Sequence, residues 1–292
     1  MGLLDGNRIR DELLREIAEG VDVLPEPPRL TVLQVGSDPA SAVYIRNKMK
    51  ACAATGVHGE HRQLPATASQ ADLDAELARL SAGPADGIIL QLPLPPGLVA
   101  ASAMLQLDPD KDVDGFHPVN LGRLVAGLPG FAPCTPAGIR ELLRRYELPT
   151  RGRHVVILGR SLIVGKPAAL LFLEKRVLGD ATVTVCHSAS RDLPGLCRQA
   201  DILIAAVGSP ELVKADWVRE GAVVVDVGMN RVPDASAPRG QRLVGDVDFA
   251  GVAPRAGAIS PVPGGVGPLT VAMLLCNTLI ACRRRRGLPE LP

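Results

Sequence analysis

The stretch that decides the fold runs from His154 to Lys175 and reads HVVILGRSLIVGKPAALLFLEK. It begins with a β-branched run, continues through a turn containing Gly159 and Gly165, and ends in residues that favour a helix. A strand, a glycine-containing turn and a helix in this order indicate a dinucleotide-binding site, because backbone N–H groups at the helix start face the pyrophosphate. The spacing differs from the usual G-x-G-x-x-G, since Gly159 and Gly165 bracket Arg160 and Ser161 rather than another glycine.

Strand and helix patterns alternate on both sides of this unit. We predict strands at 29–36, 86–91, 154–159, 182–187, 201–207 and 222–227, and helices at 5–20, 42–54, 70–80, 135–146 and 168–175. Such alternation is typical of a parallel sheet. We therefore expect an α/β fold of two domains, with a Rossmann-type parallel-sheet domain at 121–267 after an N-terminal α/β catalytic domain. The catalytic domain is expected to comprise residues 1–120 and a C-terminal helix, 268–292, that returns to it.

Composition narrows the class of protein. The 292 residues suffice for about two domains, and 47% hydrophobic residues indicate a folded globular chain. A formal charge of +1 and 2% aromatic residues predict no nucleic-acid partner. Six scattered cysteines without a C-x-x-C pair predict reduced thiols, no metal site and a cytoplasmic protein, and the N-terminus lacks a signal-peptide pattern.

One segment is apolar enough to raise the question of a membrane. It runs from Leu269 to Cys282, which is shorter than the roughly 20 residues that span a bilayer, and Asn277 interrupts it. Four arginines follow it, where positive charge stabilises the C-terminal end of a helix. We expect a buried helix and no membrane partner.

The residues after the second strand of the dinucleotide unit indicate the type of cofactor. An NAD enzyme would place an acidic residue near this point to bind the ribose, but the chain has His187 and Ser188. A hydroxyl at Ser188 together with Arg160 could bind a 2′-phosphate, which a carboxylate would repel. This pattern favours NADP over NAD; alternatively, Arg160 is a solvated surface residue.

Three segments of the first domain carry candidate catalytic residues. Tyr44 and Lys48 share one face of a predicted helix, and a lysine partly buried beside an aromatic ring can act as an acid or base near neutral pH. Gln91 ends a strand, where groups in parallel sheets contact ligands. Asp112 and Asp114 could bind a metal, or one of them could pair with an N–H-rich heterocycle. The alternatives are a surface lysine with Tyr44 in the core, a capping amide and a solvated acidic loop.

Together these segments carry a resemblance. The chain resembles the bifunctional methylenetetrahydrofolate dehydrogenase/methenyltetrahydrofolate cyclohydrolase family in motifs that occur in order through nearly its whole length. These motifs are VGSDPAS (35–41), YIRNKMKAC (44–52), QLPLP (91–95), KDVDGF (111–116), PCTP (133–136), GRS (159–161), DVGMN (226–230), GDVDF (245–249) and PVPGGVGP (261–268).

The resemblance implies a function: oxidation of 5,10-methylenetetrahydrofolate with NADP, then hydrolysis of the methenyl product to 10-formyltetrahydrofolate. It implies that Lys48 assists hydration, Tyr44 orients the folate, Gln91 contacts the lysine and Asp114 holds the pterin ring. It further implies folate contacts for Pro263, Gly264 and Gly265, and a homodimer that pairs through the cofactor domains. The implied cofactor contacts are Gly159, Arg160, Ser161, Ser188 and Met229.

Three other functions fit parts of the pattern. A Tyr-x-x-x-Lys pair also occurs in short-chain dehydrogenases, but there the glycine turn precedes the pair in the same domain. A non-catalytic nucleotide-binding module would not need Tyr44, Lys48, Gln91 and Asp114 together. A monofunctional dehydrogenase remains open at this point, and Ala189, where many family members carry a basic residue, leaves the cofactor preference open too.

Overall fold

The computed structural model describes residues 2–236 and 240–289, which form two compact units. The six-stranded unit comprises the described residues of 2–10 and 135–270, and the three-stranded unit comprises those of 11–134 and 271–289. The α/β, two-domain expectation is therefore confirmed.

The six-stranded unit is built on a parallel sheet whose strand order is β1-β11-β8-β7-β5-β6. The order reverses between β5 and β7, and this switch point is where ligands bind, beyond the carboxyl ends of the strands. Its strands are β1 (Gly2–Leu3), β5 (His154–Leu158), β6 (Thr182–Cys186), β7 (Ile202–Ala205), β8 (Val223–Asp226) and β11 (Ala258–Ile259), besides an antiparallel pair of β9 (Asn230–Pro233) and β10 (Gln241–Val244). Its helices are α6 (Cys134–Arg145), α7 (Gly165–Leu173), α8 (Leu193–Cys197) and α9 (Phe249–Val252), with a 3₁₀ turn at Ala215–Trp217.

The three-stranded unit is also built on a parallel sheet, with fewer strands. Its parallel sheet has the order β3-β2-β4, so its own switch point lies between β2 and β4. The strands are β2 (Arg29–Val35), β3 (His58–Leu64) and β4 (Gly87–Leu90). The helices are α1 (Gly6–Asp22), α2 (Pro39–Thr55), α3 (Gln70–Ala82), α4 (Ala100–Met104), α5 (Pro118–Ala126) and α10 (Val266–Arg285), of which α1 and α10 begin in the six-stranded unit.

Local sequence explains where the helices that matter for the site begin. The Asp38 side chain accepts the Ser41 N–H at 2.8 Å and so caps α2, the helix that carries Tyr44 and Lys48. In α3, Ser69 and Asp72 satisfy each other's backbone N–H groups in a capping box. Both caps satisfy backbone N–H groups of the first helical turn, which would otherwise lack a partner within the helix.

By length and composition, the C-terminal helix α10 is apolar enough to cross a membrane, since its most apolar 18-residue segment has a mean hydropathy of 1.5. However, 61% of that segment is buried within the protein. Its Leu274, Leu275 and Leu279 pack into the core around β2, as expected of a helix that returns to the first domain. Arg285 ends the helix in an ion pair with the buried Asp86 carboxylate, 2.6 Å away.

Several elements differ from the sequence-based expectation. The strand β3 was not predicted, because its residues HGEHRQL are polar and alternate between half-buried and exposed on an edge strand. The helix α5 (Pro118–Ala126) was not among the predicted helices. Residues 2–10, expected in the catalytic domain, belong to the six-stranded unit because β1 pairs with β11. Residues 121–134, expected in the cofactor domain, belong to the three-stranded unit, whose core includes Phe131.

Candidate active site

The turn after β5 is built for close approach of backbone atoms. Gly159 has φ +118°, and a Cβ there would lie 2.2 Å from the Ala206 carbonyl oxygen. A Cβ on Gly165, the first residue of α7, would lie 2.1 Å from the Gly159 carbonyl oxygen. Only glycine fits both positions, so the turn brings the strand end, the helix start and the segment after β7 together at the switch point.

The side chains at this turn face solvent. Arg160 and Ser161 are exposed, and the Ser161 Oγ accepts the Val164 N–H at 3.1 Å, which orders the turn before α7. Ser188 is also exposed and follows β6, the neighbour of β5 in the sheet. The donors at this edge are the Arg160 guanidinium, the hydroxyls of Ser161 and Ser188, and the N–H groups at the start of α7. Residues 187–191 contain no carboxylate that would repel a phosphate. This set of donors fits a phosphorylated dinucleotide.

The remaining predicted residues of this unit lie on two loops. Met229 follows β8 and is 46% exposed. The Pro263–Gly265 loop packs on the start of α1, where the Gly6 N–H donates to the Gly264 carbonyl oxygen at 2.8 Å. These positions belong to the six-stranded unit, whereas the four predicted catalytic residues belong to the three-stranded unit.

In the three-stranded unit, α2 and the end of β4 bring a lysine and an amide together. The Lys48 Nζ donates to the Gln91 Oε1 at 3.1 Å, and the Gln91 Nε2 donates to the Leu92 carbonyl oxygen at 2.7 Å. The amide is thus oriented by the backbone and holds the ammonium at the carboxyl edge of the sheet. Lys48 is half-buried and Tyr44, one turn earlier, is 48% exposed. The interpretation of Tyr44 as a core residue is therefore wrong.

The two aspartates that follow have separate roles. Asp112 is buried, and its carboxylate accepts the His117 N–H at 2.7 Å, the Gly115 N–H at 3.2 Å and the Asn120 Nδ2 at 3.0 Å. It therefore serves as an internal anchor of the loop. Burial raises the pKa of the Asp114 carboxyl, while the nearby Lys48 charge opposes that rise. Among the described residues, 2–236 and 240–289, no group of three or more His, Cys, Asp or Glu side chains could hold a metal.

Two polar groups that were not predicted from the sequence bind the backbone carbonyl oxygen of Val113, the residue before Asp114. Cys134 is buried, its Sγ lies 3.4 Å from the Val113 carbonyl oxygen, and burial raises the pKa of its thiol well above the usual value. The Asn277 Nδ2, on α10, donates to the same carbonyl oxygen at 2.9 Å. The sequence did mark Asn277 as a residue that needs a buried hydrogen-bond partner, since it is a polar residue within an apolar helix.

Comparisons with known proteins agree with this geometry. Residues 4–114 match the model described as tetrahydrofolate dehydrogenase/cyclohydrolase, catalytic domain, and residues 133–286 match its NAD(P)-binding domain. The chain is 53% identical to the bifunctional protein FolD of Desulfovibrio desulfuricans over 98% of its own length and 99% of the relative's.

Solved structures match over similar lengths. The chain resembles the bifunctional methylenetetrahydrofolate dehydrogenase/cyclohydrolase of Campylobacter jejuni with a TM-score of 0.92 at 42% identity, covering 98% of this chain and 99% of that one. The corresponding Trypanosoma brucei enzyme, solved with NADP and an inhibitor, has a TM-score of 0.90 at 40% identity, covering 97% of each chain.

Proposed function

The chain belongs to the tetrahydrofolate dehydrogenase/cyclohydrolase family, and from that premise we propose which of its residues carry the family's two reactions. The protein oxidises 5,10-methylenetetrahydrofolate to the 5,10-methenyl form with NADP and hydrolyses that product to 10-formyltetrahydrofolate. Both family domains are present and the full-length relatives are named as bifunctional, so the monofunctional alternative loses its support.

The observation that carries the assignment of residues is the Lys48–Gln91 contact, 3.1 Å between Nζ and Oε1, at the switch point of the three-stranded sheet. Hydration of a methenyl carbon requires a proton to leave the attacking water and a proton to reach the departing nitrogen. Lys48 is the group that we propose to exchange those protons. Gln91 holds the lysine, and the exposed ring of Tyr44 lies one turn away to orient the folate.

Asp114 is the proposed pterin-binding carboxylate. It lies close enough to Lys48 for the lysine's charge to act on it. A carboxylate accepts hydrogen bonds from the N–H groups of an aminopyrimidine ring. The Pro263–Gly265 loop is the proposed second contact to the folate.

Cofactor binding is assigned to the six-stranded unit. NADP supplies the hydride acceptor, and Gly159, Arg160, Ser161, Ser188 and Met229 are the residues we propose to hold it. Arg160 and Ser188, at the ends of neighbouring strands, are the side chains suited to a 2′-phosphate. The hydride step needs little proton transfer, because the folate nitrogens stabilise the cation.

We also propose a cytoplasmic homodimer that pairs through the six-stranded unit. The strand β6 is an edge of its sheet, and apolar side chains are exposed on it and on the adjoining α7 and the turn between them. These side chains are Leu173 (56% exposed), Val177 (87%) and Val185 (37%). Exposed apolar groups beside an unpaired strand edge are typical of an interface between copies.

A coupled assay tests the two reactions. Methylenetetrahydrofolate and NADP should give a reduced cofactor and a transient methenyl absorbance that decays to the formyl product. Absence of cofactor reduction with NADP or NAD contradicts the dehydrogenase, and a methenyl absorbance that persists contradicts the cyclohydrolase.

The dimer is tested by sedimentation of the Val185→Lys variant, which should have a lower mass than the parent protein. Val23→Lys, on the other unit, is the control. An unchanged mass of the Val185 variant contradicts this interface.

A further inference from the structure

A buried pair of aspartates lies behind the loops that follow β7 and β8 in the six-stranded unit. Asp226 is 3% exposed and Asp246 is completely buried. Neither residue belongs to the sites assigned above. Carboxylates are rarely buried unless they are hydrogen-bonded, so their partners indicate what they do.

The Asp246 carboxylate binds three consecutive backbone N–H groups of the loop after β7. Its Oδ2 accepts from Val207 at 2.6 Å and Gly208 at 2.9 Å, and its Oδ1 accepts from Ser209 at 2.9 Å. The Asn230 Nδ2 donates to the same Oδ1 at 2.9 Å. One side chain thus ties the loop after β7 to the residue that follows Met229.

Asp226 holds Asp246 in place. Its Oδ1 accepts the N–H groups of Gly228 and Asp246, both at 2.9 Å, and its Oδ2 accepts the Val247 N–H at 3.0 Å. The approach is so close that a Cβ on Gly245 would lie 1.7 Å from the Asp226 Oδ2. The glycine of the GDVDF motif is therefore required by the packing of this pair.

The loop that Asp246 holds lies at the switch point. It follows β7, the strand at which the sheet order reverses, and its first residue, Ala206, touches the Gly159 turn. Met229 lies on the second loop that the pair constrains. Both loops border the position where a dinucleotide binds in this type of sheet.

We propose that Asp246 is a positioning residue for NADP, which acts by fixing the backbone of 207–209 and, through Asn230, the Met229 loop, with Asp226 as its support. This inference rests on the proposed cofactor site. Asp246 is completely buried, so its proposed action on the cofactor is through the backbone groups that it binds. Its removal would free three N–H groups at the switch point and let the loop sample other conformations, which would weaken NADP binding.

The test compares Asp246→Asn with Asp201→Asn as a matched control. Asp201 accepts the His154 N–H at 2.8 Å and pairs with Arg219, but at the amino end of β7, the opposite edge of the same sheet. Calorimetric titration should show that NADP binding weakens about tenfold in Asp246→Asn, which corresponds to ~1.4 kcal/mol, and is unchanged in Asp201→Asn. Hydrogen exchange at 207–209 should accelerate only in the Asp246 variant, and KM should rise for NADP but not for the folate.

An unchanged NADP affinity in folded Asp246→Asn overturns the inference. If that variant does not fold, Asn230→Ala decides, since Asn230 is only half-buried and contributes one of the bonds to Asp246; unchanged NADP affinity there also overturns it. Failure of the parent protein to bind NADP would instead contradict the proposed cofactor site.

Discussion

Replacing Lys48 by methionine tests the proposed chemistry most directly. The change keeps an unbranched side chain in the middle of α2 and removes the ammonium that contacts the Gln91 Oε1 at 3.1 Å. Lys48 is half-buried and this contact is a single hydrogen bond, so the free energy of unfolding should fall by no more than about 1.5 kcal/mol.

The expected effect on hydration is much larger. Loss of a positioned acid–base group slows a proton-transfer step by about 10²- to 10⁴-fold, which corresponds to roughly 3–5.5 kcal/mol in the barrier. The dehydrogenase rate should change far less, because hydride transfer requires no such group. The two activities should therefore separate within one folded protein.

The assay follows the decay of methenyltetrahydrofolate absorbance and, separately, the reduction of NADP. Lys50→Met is the matched control, since Lys50 lies on the same helix, is exposed and loses the same charge. A cyclohydrolase rate in Lys48→Met equal to that of the parent would refute the role of Lys48. So would an equal loss in the Lys50 variant.

Three further predictions follow from the structure. Arg160→Gln should raise the KM for NADP by roughly 10- to 100-fold, because hydrogen bonds to a charged phosphate are lost, and should leave the KM for NAD unchanged. Steady-state kinetics with both cofactors measure this. An equal effect on the two cofactors contradicts it. Leu275→Ala should lower the free energy of unfolding, measured in urea, by about 2–5 kcal/mol, because Leu275 is completely buried in α10. Val23→Ala is the control: Val23 is 72% exposed, so this variant should lose under about 0.5 kcal/mol. Burial raises the pKa of Asp226 to about 6, so the folded state keeps that proton to higher pH than the unfolded chain. Because of this group, the free energy of unfolding should fall by about 2 kcal/mol between pH 4 and pH 6. A free energy of unfolding of Asp226→Asn that falls over this pH range as much as the parent's would contradict that.

Local patterns predicted the elements that have strong local signals. The Gly159 turn, the helix that carries Lys48 and the buried strands were recognised because turn glycines, helix caps and runs of β-branched residues act over a few residues. The edge strand β3 was missed because its polar residues carry no such pattern, and α5 was missed within a stretch rich in turn residues. Its start depends on His117, whose ring nitrogen accepts the Val119 N–H at 3.0 Å.

In the candidate site, too, some residues could be predicted from local motifs and others could not. Tyr44, Lys48, Gln91 and Asp114 could be named from their motifs, and the contact between Lys48 and Gln91 joins two of them. The roles of Asp246 and Asn277 could not be named. Each acts on backbone groups more than thirty residues away, and nothing in the surrounding sequence specifies those partners.

The sequence by itself determined the α/β class, the order of the two domains and the family, because each depends on residue types at short spacings. Only the tertiary structure decided that β1 joins the six-stranded sheet, that Asp112 is an internal anchor while Asp114 is left near Lys48, and that a buried aspartate holds the loop after β7. These outcomes depend on which groups meet after the chain has folded. Buried donors and acceptors must find partners wherever the fold brings them, and sequence distance does not limit that choice.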